Sequence, residues 1–166
     1  MGLFNKVLVA YDGSTDSVKA LEKAQGNVKQ NDAKLKVVYV QDINPSAPIS
    51  DNHTIPHGTS MMYQTTNYTT SVPLSNSAEQ EQAEVMDHQA DEILGHARMK
   101  LSNAIDADYE TLAGPAAREL TQFAEDEDVD LIILGNRGLS GLKKLVMGSV
   151  SNKVTNDAKC PVLVIK

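Results

Sequence analysis

Short apolar runs alternate along this chain with segments whose apolar residues recur three and four apart, and that alternation constrains the fold more than any other feature. Phe4 to Tyr11 is the first run. Its β-branched content and its stop at Asp12-Gly13-Ser14 mark a buried strand. Ser17, Leu21, Ala24 and Val28 then share one helical face. Leu35 to Val40 reads as a second strand, and from Ala78 the helical period returns with Met86, Ala90, Ile93, Leu94, Ala97 and Leu101 on one side. A weaker strand surrounds Tyr109 to Leu112, followed by a short helix through Ala116, Leu120, Phe123 and Ala124. Leu131 to Leu134 is a strand closed by Gly135, and Pro161 to Ile165 ends the chain as another. Leu142, Val146, Val150, Val154 and Ala158 fall four apart between them. A helix running through all five would carry Gly148 in its interior at a cost of about 1 kcal/mol relative to alanine. The last helix is therefore expected to start near Ser149.

Strands that are apolar on both sides and alternate with helices imply an α/β fold, a parallel sheet covered on both faces by right-handed crossovers. Such sheets bind ligands beyond the carboxyl ends of their strands. Asp12, Gln41, Ala113-Gly114 and Gly135 are expected along that edge. One stretch breaks the alternation. Asn44 to Ser77 holds four of the 6 prolines, no Lys or Arg and no sustained period, so it reads as an insertion at about 44–78 between the second strand and the second helix.

At 166 residues and 41% hydrophobic, the chain is one domain's worth of polymer with a single core. A single Cys excludes an internal disulfide and fits a reducing compartment, the cytoplasm. No apolar run approaches the ~18–20 residues that span a bilayer, and Met1 to Lys6 opens no signal-peptide pattern. A net charge of −7 and 4% aromatics without Trp argue against nucleic acid as the main partner. A small anion held by local groups stays open.

The chemistry-bearing stretch is Gly135-Asn136-Arg137-Gly138-Leu139-Ser140-Gly141, directly after a strand, with Gly148-Ser149-Val150-Ser151 beyond it. Glycines admit close backbone approach, and free N–H groups at a helix start favour phosphate oxygens. Ser149 and Ser151 offer hydroxyl donors, and Arg137 a cationic fork. The alternative is a glycine-rich turn followed by an ordinary capped helix. Neither the Gly-x4-Gly-Lys-Ser/Thr loop nor Gly-x-Gly-x-x-Gly occurs, and Gly138-Leu139-Ser140-Gly141 is one residue short of a nucleophile elbow.

Other clusters have plain readings. Asp51, His53 and His57 have metal-ligand chemistry, but Pro56 opposes the helix their spacing needs. His88 and Glu92 read as a solvated polar face, Glu125 to Asp128 as a solvated helix end, and Cys160 as packing. Met61-Met62-Tyr63 in the insertion is either a sticky lid tip or plain loop.

The spacing Gly135-x2-Gly138-x9-Gly148-Ser149 resembles the ATP-binding signature of universal stress proteins. Val7 to Ser14, Val37 to Val40, Asp130 to Gly135 and Cys160 to Ile165 extend the resemblance over most of the chain outside the insertion. It implies a single-domain, Rossmann-like five-stranded parallel sheet in the order 3-2-1-4-5. It further implies adenine and ribose near Ala10, Asp12 and Val40, and a triphosphate on Gly135 to Gly141 and Ser149 to Ser151. Asp12 would hold the ribose or help hold Mg²⁺, and the last strand would form a homodimer; an apolar edge strand invites such pairing independently. The leading expectation is an ATP-binding stress-response protein, a regulatory or protective module whose nucleotide state regulates folding or partner binding, with a protein partner the sequence does not name. A slow Mg²⁺-dependent ATPase and a non-nucleotide dimeric scaffold are the alternatives.

Overall fold

A computed structural model of the chain describes residues 3–41, 76–139 and 147–166, with side chains of the second helix from residue 83 onward. In chain order the elements are β1 (Lys6–Ala10), α1 (Thr15–Asn31), β2 (Lys34–Gln41), α2 (Asn76–Lys100), β3 (Ala107–Ala113), α3 (Ala116–Asp126), β4 (Leu131–Gly135), α4 (Ser149–Asp157) and β5 (Val162–Ile165). The strands form one sheet in the order β3-β2-β1-β4-β5, and every described pairing is parallel. Fold class and strand order are those expected.

Strand periodicity sorts the core into two layers. Val7, Val9, Tyr11, Leu35, Val37, Tyr39, Leu131 and Ile133 point to the face covered by α1 and α2. Leu8, Ala10, Val38, Val40, Ile132 and Leu134 point to the opposite face, covered by α3 and α4. All five residues of β4 are buried, which is why its sequence is an unbroken apolar run. β3 lies at an edge with only exposed and half-buried residues, so its apolar signal is weak.

Helix ends follow local chemistry. Ser14 caps α1, accepting a hydrogen bond from Ser17 N at 3.2 Å. α4 begins at Ser149 with Gly148 as its N-cap, as the cost of a mid-helix glycine requires. α2 begins at Asn76, inside the end assigned to the insertion, because a helix start in polar sequence carries no apolar period to mark it. The Gln25 side chain closes the far end of α2, donating to Lys100 O at 3.1 Å and accepting from Ser102 N at 3.2 Å. Two helical glycines, Gly26 and Gly95, face open space: a β-carbon on either would meet nothing within 4 Å. Gly26→Ala and Gly95→Ala should each stabilise the fold by about 0.5–1 kcal/mol, read as a higher urea midpoint with unchanged slope.

The acidic end of α3 is more than a solvated tail. Glu125 and Asp126 are exposed, but Glu127 pairs with Lys36 Nζ at 3.0 Å, and its carbonyl accepts from Lys6 Nζ. The Lys36 side chain is only 12% exposed; it also meets Asp108 at 3.6 Å and lies 5.6 Å from the centre of the Phe123 ring. The hydrogen bond to Glu127 pushes Lys36 up from its ordinary 10.5. Burial, helped by the charge of Asp12, pushes Tyr11 and Tyr39 above 10.0, and burial pushes Tyr109 above 10.0 and Cys160 above 9.0. Each group keeps its proton to higher pH in the folded chain than in the unfolded one. Their contribution is thus intact below the ordinary values and is lost as pH climbs through the raised ones. Urea midpoints should hold steady around neutrality and fall from about pH 9 upward, most steeply beyond 10.

Candidate functional site

A cavity of about 390 Å³ opens at the carboxyl edge of β1, β2 and β4. One part is apolar. Ala10, Val38, Val40 and Leu134 reach it from the sheet, Ala116 and Leu120 from α3, and Val150 from α4. The strand residues arrive there because they share the even-numbered face of the pleat. The other part is polar and backbone-rich, lined by Asp12, Gly135, Arg137, Gly138, Leu139, Gly148, Ser149 and Ser151.

The polar end is assembled where β1 and β4 stop side by side. Past Ala10, one further bond from Tyr11 N to Val38 O, 2.9 Å, prolongs the ladder before the chain turns. Asp12 Oδ1 accepts from Ser14 N at 3.0 Å, and Gly13 adopts φ +80°, a conformation costly for any residue with a β-carbon. Ser14 also donates through its hydroxyl to Arg137 O at 3.3 Å, joining the start of α1 to the glycine loop. A β-carbon on Gly138 would sit 2.7 Å from Asp12 Oδ2, so the Asp12 carboxylate lies directly against that backbone.

α4 completes the site. Its first intrahelical bond runs from Asn152 N to Gly148 O at 2.9 Å, so the amides of Ser149, Val150 and Ser151 are those an α-helix leaves without an intrahelical acceptor. Gly148 supplies no side-chain cap, and all three residues line the cavity. The amides and the helix dipole together favour an anion there. The charge of Asp12 is felt at both nearby phenols, Tyr11 and Tyr39. A polyanion entering beside that carboxylate therefore calls for a cation between them. One carboxylate with phosphate and water oxygens suits Mg²⁺, which keeps much of its hydration.

Of the residues singled out from sequence, Ala10, Asp12, Val40, Gly135, Arg137, Gly138, Leu139, Gly148, Ser149, Val150 and Ser151 all line this one cavity. Two residues act differently from the expectation. The Ser151 side chain is buried and donates its proton to Gly135 O at 2.8 Å, within 3.3 Å of Asn136 O; it fastens α4 to the end of β4 instead of offering a donor. Asn136 is buried and stands behind the cavity wall, its backbone N–H donating to Ile165 O at 2.6 Å and its backbone carbonyl accepting from Gly148 N at 2.8 Å. Ser140 and Gly141 lie outside the described residues, as do Asp51, His53, His57 and Met61-Met62-Tyr63. Sequence reasoning misses Val38, Leu134, Ala116 and Leu120. The strand pair is legible by carrying the period of two onward from Ala10 and Val40, and the helix pair by its spacing of four.

The remaining clusters are structural. His88 and Glu92 form an exposed pair at 3.8 Å. Cys160 packs against the α3–α4 core layer. Among the described residues no three His, Cys, Asp or Glu side chains gather as a metal site, and no helix is long and apolar enough to cross a membrane.

This is a doubly wound parallel α/β protein with an anion-ready cleft at its carboxyl edge. The family model described as the universal stress protein family matches residues 3–60 and 52–166. Universal stress protein YxiE of Bacillus subtilis (strain 168) is 32% identical over 165 residues, spanning 99% of this chain and 100% of the relative. The chain belongs to the universal stress protein family. Universal stress protein UspA from Lactobacillus plantarum shares the fold at a TM-score of 0.72 and 22% identity, over 98% of each chain. Two more distant structures also share it. One is a universal stress protein in complex with cAMP (TM-score 0.59, 19% identity, 98% of this chain and 96% of the other). The second is the Archaeoglobus fulgidus protein in complex with dAMP (TM-score 0.53, 16% identity, 100% of both).

Proposed function

We propose that this chain is an ATP-binding universal stress protein, a regulatory or protective module whose nucleotide state governs a protein partner. The observation that carries the reading is the continuity of one cavity. An apolar slot runs directly into a polar end built from loop backbone and the first turn of α4. Adenine lies against Ala10, Val38 and Val40, the ribose beside Asp12, and the phosphates on the backbone of Gly135, Arg137 and Gly138 and the amides of Ser149, Val150 and Ser151. Asp12 would be the residue that holds Mg²⁺, which would offset the phosphate charge there. The adenine nucleotides held by the two distant family members, cAMP and dAMP, support the base assignment.

Binding is the function, with hydrolysis at most slow, since a positioned general base is what rapid turnover would need. β5 is an edge strand with Leu163 43% exposed, and two copies pair through it into a homodimer. Sedimentation at micromolar concentration should therefore give twice the chain mass. The single thiol suits the cytoplasm.

Acid release of small molecules from freshly purified protein, followed by chromatography with mass detection, tests the nucleotide reading. ATP near one per chain is the expected result. ADP or AMP in its place would favour the slow Mg²⁺-dependent ATPase. An empty protein that also ignores added Mg·ATP would overturn the proposal and leave a non-nucleotide scaffold.

A further inference from the structure

The turn that carries Asp12 is held from outside the cavity as well as from within. Tyr11 is the last residue before that turn and is 2% exposed, its ring buried in the layer between the sheet and α2. Its hydroxyl lies 2.6 Å from Nδ1 of His96, a half-buried residue of α2, with the ring centres 6.0 Å apart. A phenol keeps its proton at neutral pH and can donate. A neutral imidazole protonated on Nε2 accepts at Nδ1. α2 grips the neighbouring strand in the same way, with Gln41 Nε2 donating to Met86 O at 2.5 Å. The second helix thus clasps the exits of β1 and β2, the two strands that supply Ala10, Val38 and Val40 to the cavity.

Inside the turn, Tyr11 N bonds to Val38 O, Asp12 Oδ1 accepts from Ser14 N at 3.0 Å, and Asp12 N reaches Ser17 Oγ at 3.4 Å. The hydroxyl of Tyr11 adds an anchor from outside the turn, on the residue next to Asp12, and its partner is His96.

We propose that His96 is a positioning residue of the nucleotide cavity, acting through the Tyr11 hydroxyl to hold the Asp12 turn in its binding geometry; this rests on the nucleotide reading above. His96 touches no ligand itself. Its part is to supply a buried acceptor at one place, and any residue with an acceptor there will serve.

Calorimetric titration with Mg·ATP of nucleotide-free wild type, Tyr11→Phe, His96→Leu, His96→Asn and the Tyr11→Phe/His96→Leu double variant tests this. Thermal unfolding of each variant measures its fold separately. Asparagine places an oxygen where Nδ1 stands, so His96→Asn should bind within about twofold of wild type. Tyr11→Phe and His96→Leu should each weaken binding about three- to tenfold, the effect of one buried hydrogen bond. The double variant should be no weaker than either single one, because both changes break the same link. Wild-type affinity in His96→Leu, or equal loss in His96→Asn and His96→Leu, would overturn the positioning role while leaving nucleotide binding intact. Absence of binding by the wild type itself would overturn the nucleotide reading and this proposal together. If His96→Leu does not fold, Tyr11→Phe against His96→Asn decides the same question.

Discussion

Replacing Gly138 with alanine is expected to weaken ATP binding by at least about tenfold, some 1.4 kcal/mol, while leaving the protein folded. The added methyl would sit 2.7 Å from Asp12 Oδ2, and that oxygen is the end of a movable side chain. Asp12 can therefore swing aside for the cost of its hydrogen bond from Ser14 N, ~1 kcal/mol. The place it vacates is the one proposed for the ribose and Mg²⁺, and the methyl itself stands where phosphate must approach backbone. Calorimetry would report the affinity and urea unfolding the stability. Affinity equal to wild type would remove Gly138 from the site. A large fall in stability would mean that the loop does structural work the geometry does not show.

Gly135→Ala is expected to do the reverse and damage the fold first. A β-carbon there would lie 2.8 Å from the Asp16 carbonyl carbon and 2.9 Å from Ser17 N. These are backbone atoms of the first turn of α1, pinned by the Ser14 cap, so nothing flexible can yield. The helix must move off β4 or the strand must bend. Overpacking against an unyielding neighbour puts the loss at about 3 kcal/mol. For a chain of this size that is about 6–12 °C in Tm. Differential scanning calorimetry would measure it, and a Tm within a degree or two of wild type would show that α1 does not press on β4 as described. The two glycines lie three positions apart, yet they should separate cleanly, one by affinity and the other by stability.

Much of this arrangement is legible in the sequence, and the reason is visible in particular residues. β1, β2, β4 and β5 are short runs dominated by Val, Ile and Leu, and α1 and α3 repeat at three and four, so local pattern and tertiary burial agree. β3 is faint because an edge strand needs only one buried side in places; Asp108 and Glu110 occupy its open positions. The start of α2 is read at Ala78, two residues past Asn76, because the polar pair before it carries no apolar period. The glycine spacing discloses the polar end of the cavity, but it cannot say that Ser151 spends its proton on Gly135 O, or that Asn136 turns behind the wall. Those outcomes depend on where α4 docks against β4, a contact between segments whose geometry no local pattern encodes. The Lys36–Glu127 pair is hidden for the same reason: its partners lie 91 positions apart on β2 and at the end of α3. Tyr11 and His96, separated by 85 positions, are a further case.

The most direct test of the central claim is to add Mg·ATP to nucleotide-free, isotope-labelled protein and follow the backbone amide resonances. Saturable shifts are expected to concentrate at Asp12, Val40, Gly138 and Ser149 to Ser151, with those at the amino edge of the sheet, such as Lys34 and Ala107, unmoved. Saturable shifts that cluster away from the carboxyl edge, or no shift at millimolar nucleotide, would contradict it.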